Sequence, residues 1–343
     1  MTEKPANRSK TTKVARTTKA AQPPAPAALR TASEQTLRDM QKALATQNFA
    51  NIGEVNAFLQ SLMGPGLKHS PYDAAPSPKD EAQDLAFDAM EAESEAEARK
   101  LAKRALKLDP DCVDALVLLT SLDTRSAKEA ITGLQKAVAA GERSLGAKFI
   151  EENKGHFWLI LETRPYMRAL SELADLLRGE GIRLDAIKIY EKMLELNPND
   201  NQGVRDSLLG LYLAVRDLAG AGKLLQDYGE DSMANFAWGR VLERYLAGDL
   251  AGAETALKKA RKTNRFVELY LSGQKGIPKE MPEMYSPGSE EEAILCMDML
   301  AAAWVTQKEA LFWLLDHFAA DAAKVIPTKS ARKRAPELRK RLQ

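Results

Sequence analysis

Apolar positions recur every three or four residues along most of the chain, a period that predicts helices. Leu37, Met40 and Leu44 form one such stripe, and Val55, Phe58, Leu59 and Leu62 form the next, with a turn near 51–53 between them. The pattern resumes at about residue 80 and continues almost to the end, in segments of ordinary helix length divided by short turns. Strand signals are weak: β-branched runs are short, and no Asn-Gly or Asp-Gly hairpin turn occurs. Two stretches lack the period. Residues 1–33 are rich in Ala, Thr, Lys and Pro, cannot offset their ordering entropy, and are expected to be disordered. Residues 64–79 hold Pro65, Gly66, Pro71, Pro76 and Pro78, a density that marks a linker. The expected division is a tail over 1–33, a short helical pair over 34–63, the linker over 64–79, a helical array over 80–264, a helical cap over 265–323 and a second tail over 324–343.

Within the array the pattern repeats. With Met167 as position 1 of a 34-residue unit, Leu170, Leu173, Ala174 and Leu177 fall at positions 4, 7, 8 and 11, Ala186 at 20, Tyr190 at 24 and Pro198 at 32. Small residues at 8 and 20 let two antiparallel helices approach closely, large apolar residues fill the space around them, and proline ends the second helix. This unit resembles the tetratricopeptide repeat. Weaker copies supply Ala98, Ala130, Ala221 and Ala253 at the small position 20. The successive spacings are 32, 56, 35 and 32 residues, so one interval carries an insertion. Five hairpins in series exceed the roughly three that a repeat array needs to bury a continuous core. The expected fold is all-α, a tetratricopeptide-type α-solenoid wound as a right-handed superhelix, with a disordered basic N-terminal tail.

The insertion, at about 141–166, concentrates uncommon residues: His156, Phe157, Trp158, Glu162, Arg164, Pro165 and Tyr166 lie within eleven positions. Two readings stand. The aromatics pack a neighbouring hairpin while Glu162 and Arg164 satisfy backbone groups at a helix start, or His156, Glu162, Arg164 and Tyr166 line a pocket. The next turn holds Asn197, Asn199, Asp200, Asn201, Gln202 and Arg205. Asp200 or Asn201 is placed to cap the following helix, and Arg205 to pair with Glu162 or with a partner's carboxylate. Near the C-terminus, Ser289 reads as an N-cap followed by acids in the first turn. The helices after it, with Met297, Trp304 and Trp313, are expected to seal the open end of the array.

Charge divides the chain differently. A net charge of +1 conceals seven basic residues against Glu3 in residues 1–30 and eight against Glu337 in residues 324–343. The intervening 31–323 carries 34 Lys and Arg against 46 Asp and Glu, a net of −12. Basic tails of this kind hold phosphate backbones through counterion release, dock on an acidic body, or serve as solvated ends. No aromatic occurs in residues 1–30, which excludes base stacking there. Two cysteines, Cys112 and Cys296, build no disulfide framework and fit a reducing compartment. No apolar run approaches a membrane span, and the basic N-terminus lacks the apolar core of a secretory signal. A cytoplasmic location is expected.

Motifs for chemistry are missing. No phosphate loop, no dinucleotide fingerprint, no H-E-x-x-H and no G-x-S-x-G elbow occurs, and His69, His156 and His317 are far apart. Neither a catalytic residue, a cofactor nor a metal site is expected.

Longer strings sharpen the comparison. GHFWLILETRPYMRAL followed by LNPNDNQGVR, with NFANIGEVNAFLQSLM, AAGERSLG and FVELYLSGQKGIPKEMPEMYSPGSEEEAILCMDMLAAAW, resemble bacterial tetratricopeptide proteins related to the suppressor-of-tumorigenicity-seven family, over about residues 34–318. The resemblance implies a helical repeat fold and a scaffolding role, and it implies no catalytic residues. The expected function is therefore a protein-protein interaction scaffold that holds a partner peptide or helix in the solenoid groove. The expected contacts are His156, Trp158, Glu162, Arg164, Tyr166, Asn201 and Arg205. The rival is a nucleic-acid-associated protein that works through its tails. Neither reading involves a membrane.

Overall fold

The computed structural model describes residues 26–45, 47–62 and 77–325. Most of both basic tails lies outside these residues, and so does His69. The chain divides into two compact units, residues 1–74 and 75–343.

In the first unit, helix α1 spans Pro26–Ala45 and α2 spans Ile52–Leu62. The helix thus reaches back to Pro26, inside the stretch expected to be disordered, because proline tolerates the first helical turn. The turn between them is a capping box. Asn51 Oδ1 accepts from Glu54 N at 3.1 Å, and the Glu54 carboxylate accepts from Ala50 N at 2.9 Å. Phe49 and Phe58 stack across it with ring centres 5.3 Å apart.

The second unit is a series of helices in neighbouring pairs, and no strand occurs among the described residues. Helices α3 (Pro78–Met90) and α4 (Glu95–Leu108) form the first pair, and α5 (Val113–Asp123) and α6 (Ala127–Leu145) the second. A short α7 (Ala147–Glu152) and two 3₁₀ turns, Phe157–Leu159 and Leu161–Thr163, lead to α8 (Arg164–Gly179), which pairs with α9 (Arg183–Leu196). Then come α10 (Val204–Val215) with α11 (Leu218–Asp227) and α12 (Ala234–Leu246) with α13 (Leu250–Thr263). The insertion is therefore a prolonged α6, a one-turn helix and two tight turns. Serine or aspartate side chains cap many of these helices: Ser77, Ser94, Ser126, Asp217 and Asp249 each accept a backbone N–H from three residues on. Each cap contributes about 1 kcal/mol.

Alanines set the pair spacing. Ala86, Ala174, Ala186, Ala221 and Ala253 are fully buried, as the repeat register requires. Ala130 departs from it: it is half-buried, and Ala137 and Ala140 make the close contact of α6. Helix α10, VRDSLLGLYLAV, is apolar on nearly every side, the mark of a helix covered all round. It packs against α9, α11, α12 and a helix from the C-terminal region.

That region comprises α14 (Phe266–Leu271), an irregular strap, α15 (Glu290–Thr306) and α16 (Lys308–Val325). Rather than closing only the end of the array, it turns back: α15 lies against α10 and α12. Its backbone comes so close that a Cβ on Gly210 would fall 2.1 Å from the Met299 carbonyl oxygen, so only glycine fits there. Gln307 Nε2 donates to the carbonyls of Leu213 and Ala214, each at 3.4 Å, and Arg178 Nη2 to Asp298 Oδ2 at 3.0 Å. Buried Glu292 is the anchor of α15. Its carboxylate accepts from Ala234 N at 2.9 Å, Asn264 Nδ2 at 2.9 Å and Gly288 N at 2.6 Å. An apolar core runs from Leu134 to Leu315, with Trp238 and Trp304 wholly enclosed.

Candidate binding surfaces

The residues expected to form one site fall into two groups with different surroundings. In the insertion, Thr163 closes the two 3₁₀ turns by donating its hydroxyl to the Phe157 carbonyl. Arg164, at the start of α8, reaches back to the Trp158 carbonyl through Nε and Nη2 at 3.4 and 3.3 Å, and its guanidinium carbon lies 5.2 Å from the Trp158 ring centre. The helix-start role expected of Arg164 is thus observed. Phe157 is buried, Trp158 half-buried, and His156, Leu159 and Glu162 exposed, Leu159 to 76%.

Tyr166 is not a surface contact. Its ring is 1% exposed, and its hydroxyl donates to Glu142 Oε1 at 3.1 Å. Lys192 completes this group, with Nζ 2.7 Å from Glu142 Oε1 and 5.5 Å from the Tyr166 ring centre. Burial raises the Tyr166 pKa, whereas the bond from Lys192 lowers that of Glu142. A phenol so enclosed packs and donates a bond but meets no external peptide.

The second group is built around Arg205. It does not pair with Glu162. Its Nη1 lies 3.1 Å from Asp200 Oδ2 and its Nη2 2.9 Å from Asp231 Oδ2, and its guanidinium sits between the Tyr228 and Phe236 rings, 5.4 and 5.9 Å from their centres. Asp200 also accepts from Val204 N and Arg205 N at 2.8 and 3.0 Å, so it caps α10, as expected of it. It does so from a left-handed backbone (φ 48°), where aspartate is among the tolerated residues. Asn201 is exposed. Next along α10, Asp206 faces Asn235, whose Nδ2 donates to its Oδ1 at 3.1 Å. Burial pushes the Asp206 pKa up to about 6 against the opposing pull of Arg205.

Sequence reasoning missed two further features. The first is a polar ladder across three helices. Wholly buried Asp114 of α5 accepts from Gln83 Nε2 of α3 at 2.7 Å and from Arg168 of α8 through Nε at 3.0 Å and Nη2 at 2.6 Å. In the sequence Asp114 is indistinguishable from an ordinary acid in a first helical turn. The second is a cleft of about 650 Å³ floored by α12 and walled by α11 and α13, with Leu225, Phe236, Arg240, Glu243, Ala256 and Lys259 among its lining. Small residues at Gly222, Gly229, Ala237 and Ala256 leave room for it, widely spaced in the sequence and without a pattern that marks a cleft.

The class these observations define is an all-α protein of successive helical pairs, with a C-terminal helix folded back on the later pairs. No helix of the described residues is long and apolar enough to cross a membrane. No protein-family model matches the chain, and a search of the curated proteins finds no match.

Proposed function

We propose that the protein is a non-enzymatic, tetratricopeptide-type scaffold that binds a partner peptide or helix. The register of buried alanines, Ala86 with Ala98 and Ala174 with Ala186, supports the repeat type, as does the resemblance to suppressor-of-tumorigenicity-seven relatives. The observation that carries the binding role is the tip of the insertion. Leu159 is exposed to 76% beside half-buried Trp158, on turns held in place by Thr163 and Arg164. An exposed leucine beside a half-buried indole and a guanidinium offers a partner an apolar contact with an aromatic and a cationic neighbour. The binding residues are accordingly His156, Trp158, Leu159, Glu162 and Arg164, with Asn201 as a peripheral contact; Tyr166 and Arg205 serve to hold the scaffold.

The test is affinity capture with the native chain, with Trp158→Ala/Leu159→Ser, and with a chain lacking residues 1–25 and 326–343, each with and without nuclease. A protein retained by the native and tail-less chains but lost with the double substitution, at unchanged helicity, supports the scaffold. The second reading, nucleic-acid association, rests on the fifteen basic residues of the two tails. Nucleic acid captured by the native chain, and lost when the tails are removed, would replace the scaffold with that reading.

A further inference from the structure

We propose that the cleft of α11, α12 and α13 receives the exposed strap of a second copy of this chain, joining molecules head to tail. Two surfaces of opposite character carry the inference. The cleft lining is mixed, with Leu225, Phe236 and Ala256 at its base among polar Gln226, Ser232 and Thr263. Its acids are already engaged: Asp231 holds Arg205 at 2.9 Å, and Glu243 meets Arg244 at 3.4 Å. Arg240 and Lys259 are left over. Arg240 donates one bond, to the Leu225 carbonyl at 3.1 Å, and neither cation has a carboxylate partner among the described residues. The volume is that of a small-molecule site, enough to take a few side chains of a docked segment. A complementary ligand is therefore an extended segment bearing apolar side chains and carboxylates.

The chain itself displays such a segment. The strap between α14 and α15 reads GIPKEMPEMYSP over residues 276–287. Ile277, Met281 and Tyr285 are about half exposed, and Met284 is 83% exposed. Glu280 and Glu283 lie between these residues and have no ion-pair partner among the described residues. The prolines keep the strap extended and out of any helix. Bonds at both ends hold its course: Lys275 N donates to Leu269 O at 3.1 Å, Ser289 N to Ser286 O at 3.0 Å, and Gly288 N to Glu292. Four large apolar side chains presented in twelve residues are costly on a solitary molecule. The strap and cleft are different surfaces, so the contact is heterologous and can propagate beyond two copies.

Sedimentation of the full chain over rising concentration tests this. The average mass should climb with concentration. Arg240→Glu with Lys259→Glu disables the cleft, and Met281→Ser with Met284→Ser and Tyr285→Ser disables the strap. Either variant alone should remain monomeric with native helicity, and an equal mixture should stop at dimers, since one intact strap then meets one intact cleft. A labelled peptide of residues 276–288 should bind the strap-disabled chain and lose at least tenfold in affinity on the cleft-disabled one. The same peptide with Glu280→Lys and Glu283→Lys should show the reverse preference. A native chain that is monomeric throughout overturns the proposal. If the peptide still binds in that case, the cleft belongs to the chain's own strap and the second-copy assignment falls. Association unchanged in both variants also overturns it, and leaves the insertion tip untouched as the scaffold's partner contact.

Discussion

The earlier and later helical pairs solve one packing problem in two ways. From α3 to α8, neighbouring pairs meet through alanines such as Ala102, Ala105, Ala137 and Ala169, and three helices are pinned by the Asp114 ladder. From α10 to α13, large side chains dominate, and α15, from far along the chain, packs on α10 and α12. In an array, stability is the sum of each pair and its interfaces with its neighbours. The early pairs thus rely on a few directional bonds, the later ones on area shared with a distant segment. Damage to the early ladder should stay local, and damage to α15 should spread through every helix it touches.

The sharpest challenge to this comparison is Trp304→Ala. The ring is wholly buried in α15, and its loss should cost about 4 kcal/mol. Denaturant unfolding followed by both far- and near-ultraviolet dichroism should move together. A loss below about 1 kcal/mol would mean that α15 is an accessory. Gly210→Ala attacks the same contact from α10. The new methyl meets a backbone carbonyl that cannot rotate away, and the expected cost is about 3 kcal/mol. On the early side, Arg168→Ala strands a carboxylate that is 0% exposed, at about 3 kcal/mol. Asp114→Ala should cost less, because the Arg168 side chain is 31% exposed and can rehydrate. Hydrogen exchange should show the damage from Arg168→Ala confined to α3, α5 and α8. Exchange spreading into α12 would erase the distinction between the halves.

How much of this could be read from the sequence differs by residue in an instructive way. Periodicity marks helix faces, and small hydroxyl or acidic side chains mark helix starts, so the pairs, Ser289 as a cap and the insertion between Ala130 and Ala186 were legible. Periodicity says that a face is covered but not by what. The stripe of α15 fitted an end cap as well as it fits α10, and the close crossing at Gly210 shows only in the fold. Which carboxylate a given cation meets was illegible for the same reason. Arg205 was expected to meet Glu162 or a partner's carboxylate, yet Asp200, five residues away, and Asp231, in the turn between α11 and α12, hold it. Tyr166 was expected to line a pocket or meet a partner, because nothing in its type reveals that Glu142 and Lys192 surround it.

A smaller effect separates the halves by pH. Asp206, on α10, is half-buried in the fold, with a pKa pushed up to about 6 from the ordinary 3.8. Between these values the folded chain holds a proton that the unfolded chain has released. Its contribution is therefore favourable below about pH 4 and is lost as the pH rises through 6. Asp206→Asn keeps the acceptor for Asn235 and removes this loss, and should raise stability at pH 7.5 by about 2 kcal/mol while leaving pH 4 unchanged. Thermal melts at both pH values read the difference directly. An equal change at pH 4 would show that packing rather than ionisation is responsible.

The smallest expected effect lies in the early half, at Gly133. It stands inside α6, where alanine is favoured over glycine by about 1 kcal/mol. A Cβ there would fall 2.5 Å from the side chain of Thr120 on α5, which now donates to the Leu116 carbonyl at 2.8 Å. Both branches of Thr120, Oγ1 and Cγ2, stand 2.5 Å from it, so every staggered rotamer keeps one of them there and α5 must shift slightly. Set against the helix-propensity gain, Gly133→Ala should cost about 1 kcal/mol. The same substitution at Gly210 meets backbone at 2.1 Å rather than a side chain, and costs more. Equal losses at the two sites, measured as urea midpoints, would show that α5 and α6 are locked as rigidly as α10 and α15. A mild loss at Gly133→Ala beside a costly Gly210→Ala would locate the rigidity of this molecule where its C-terminal helix crosses the later pairs.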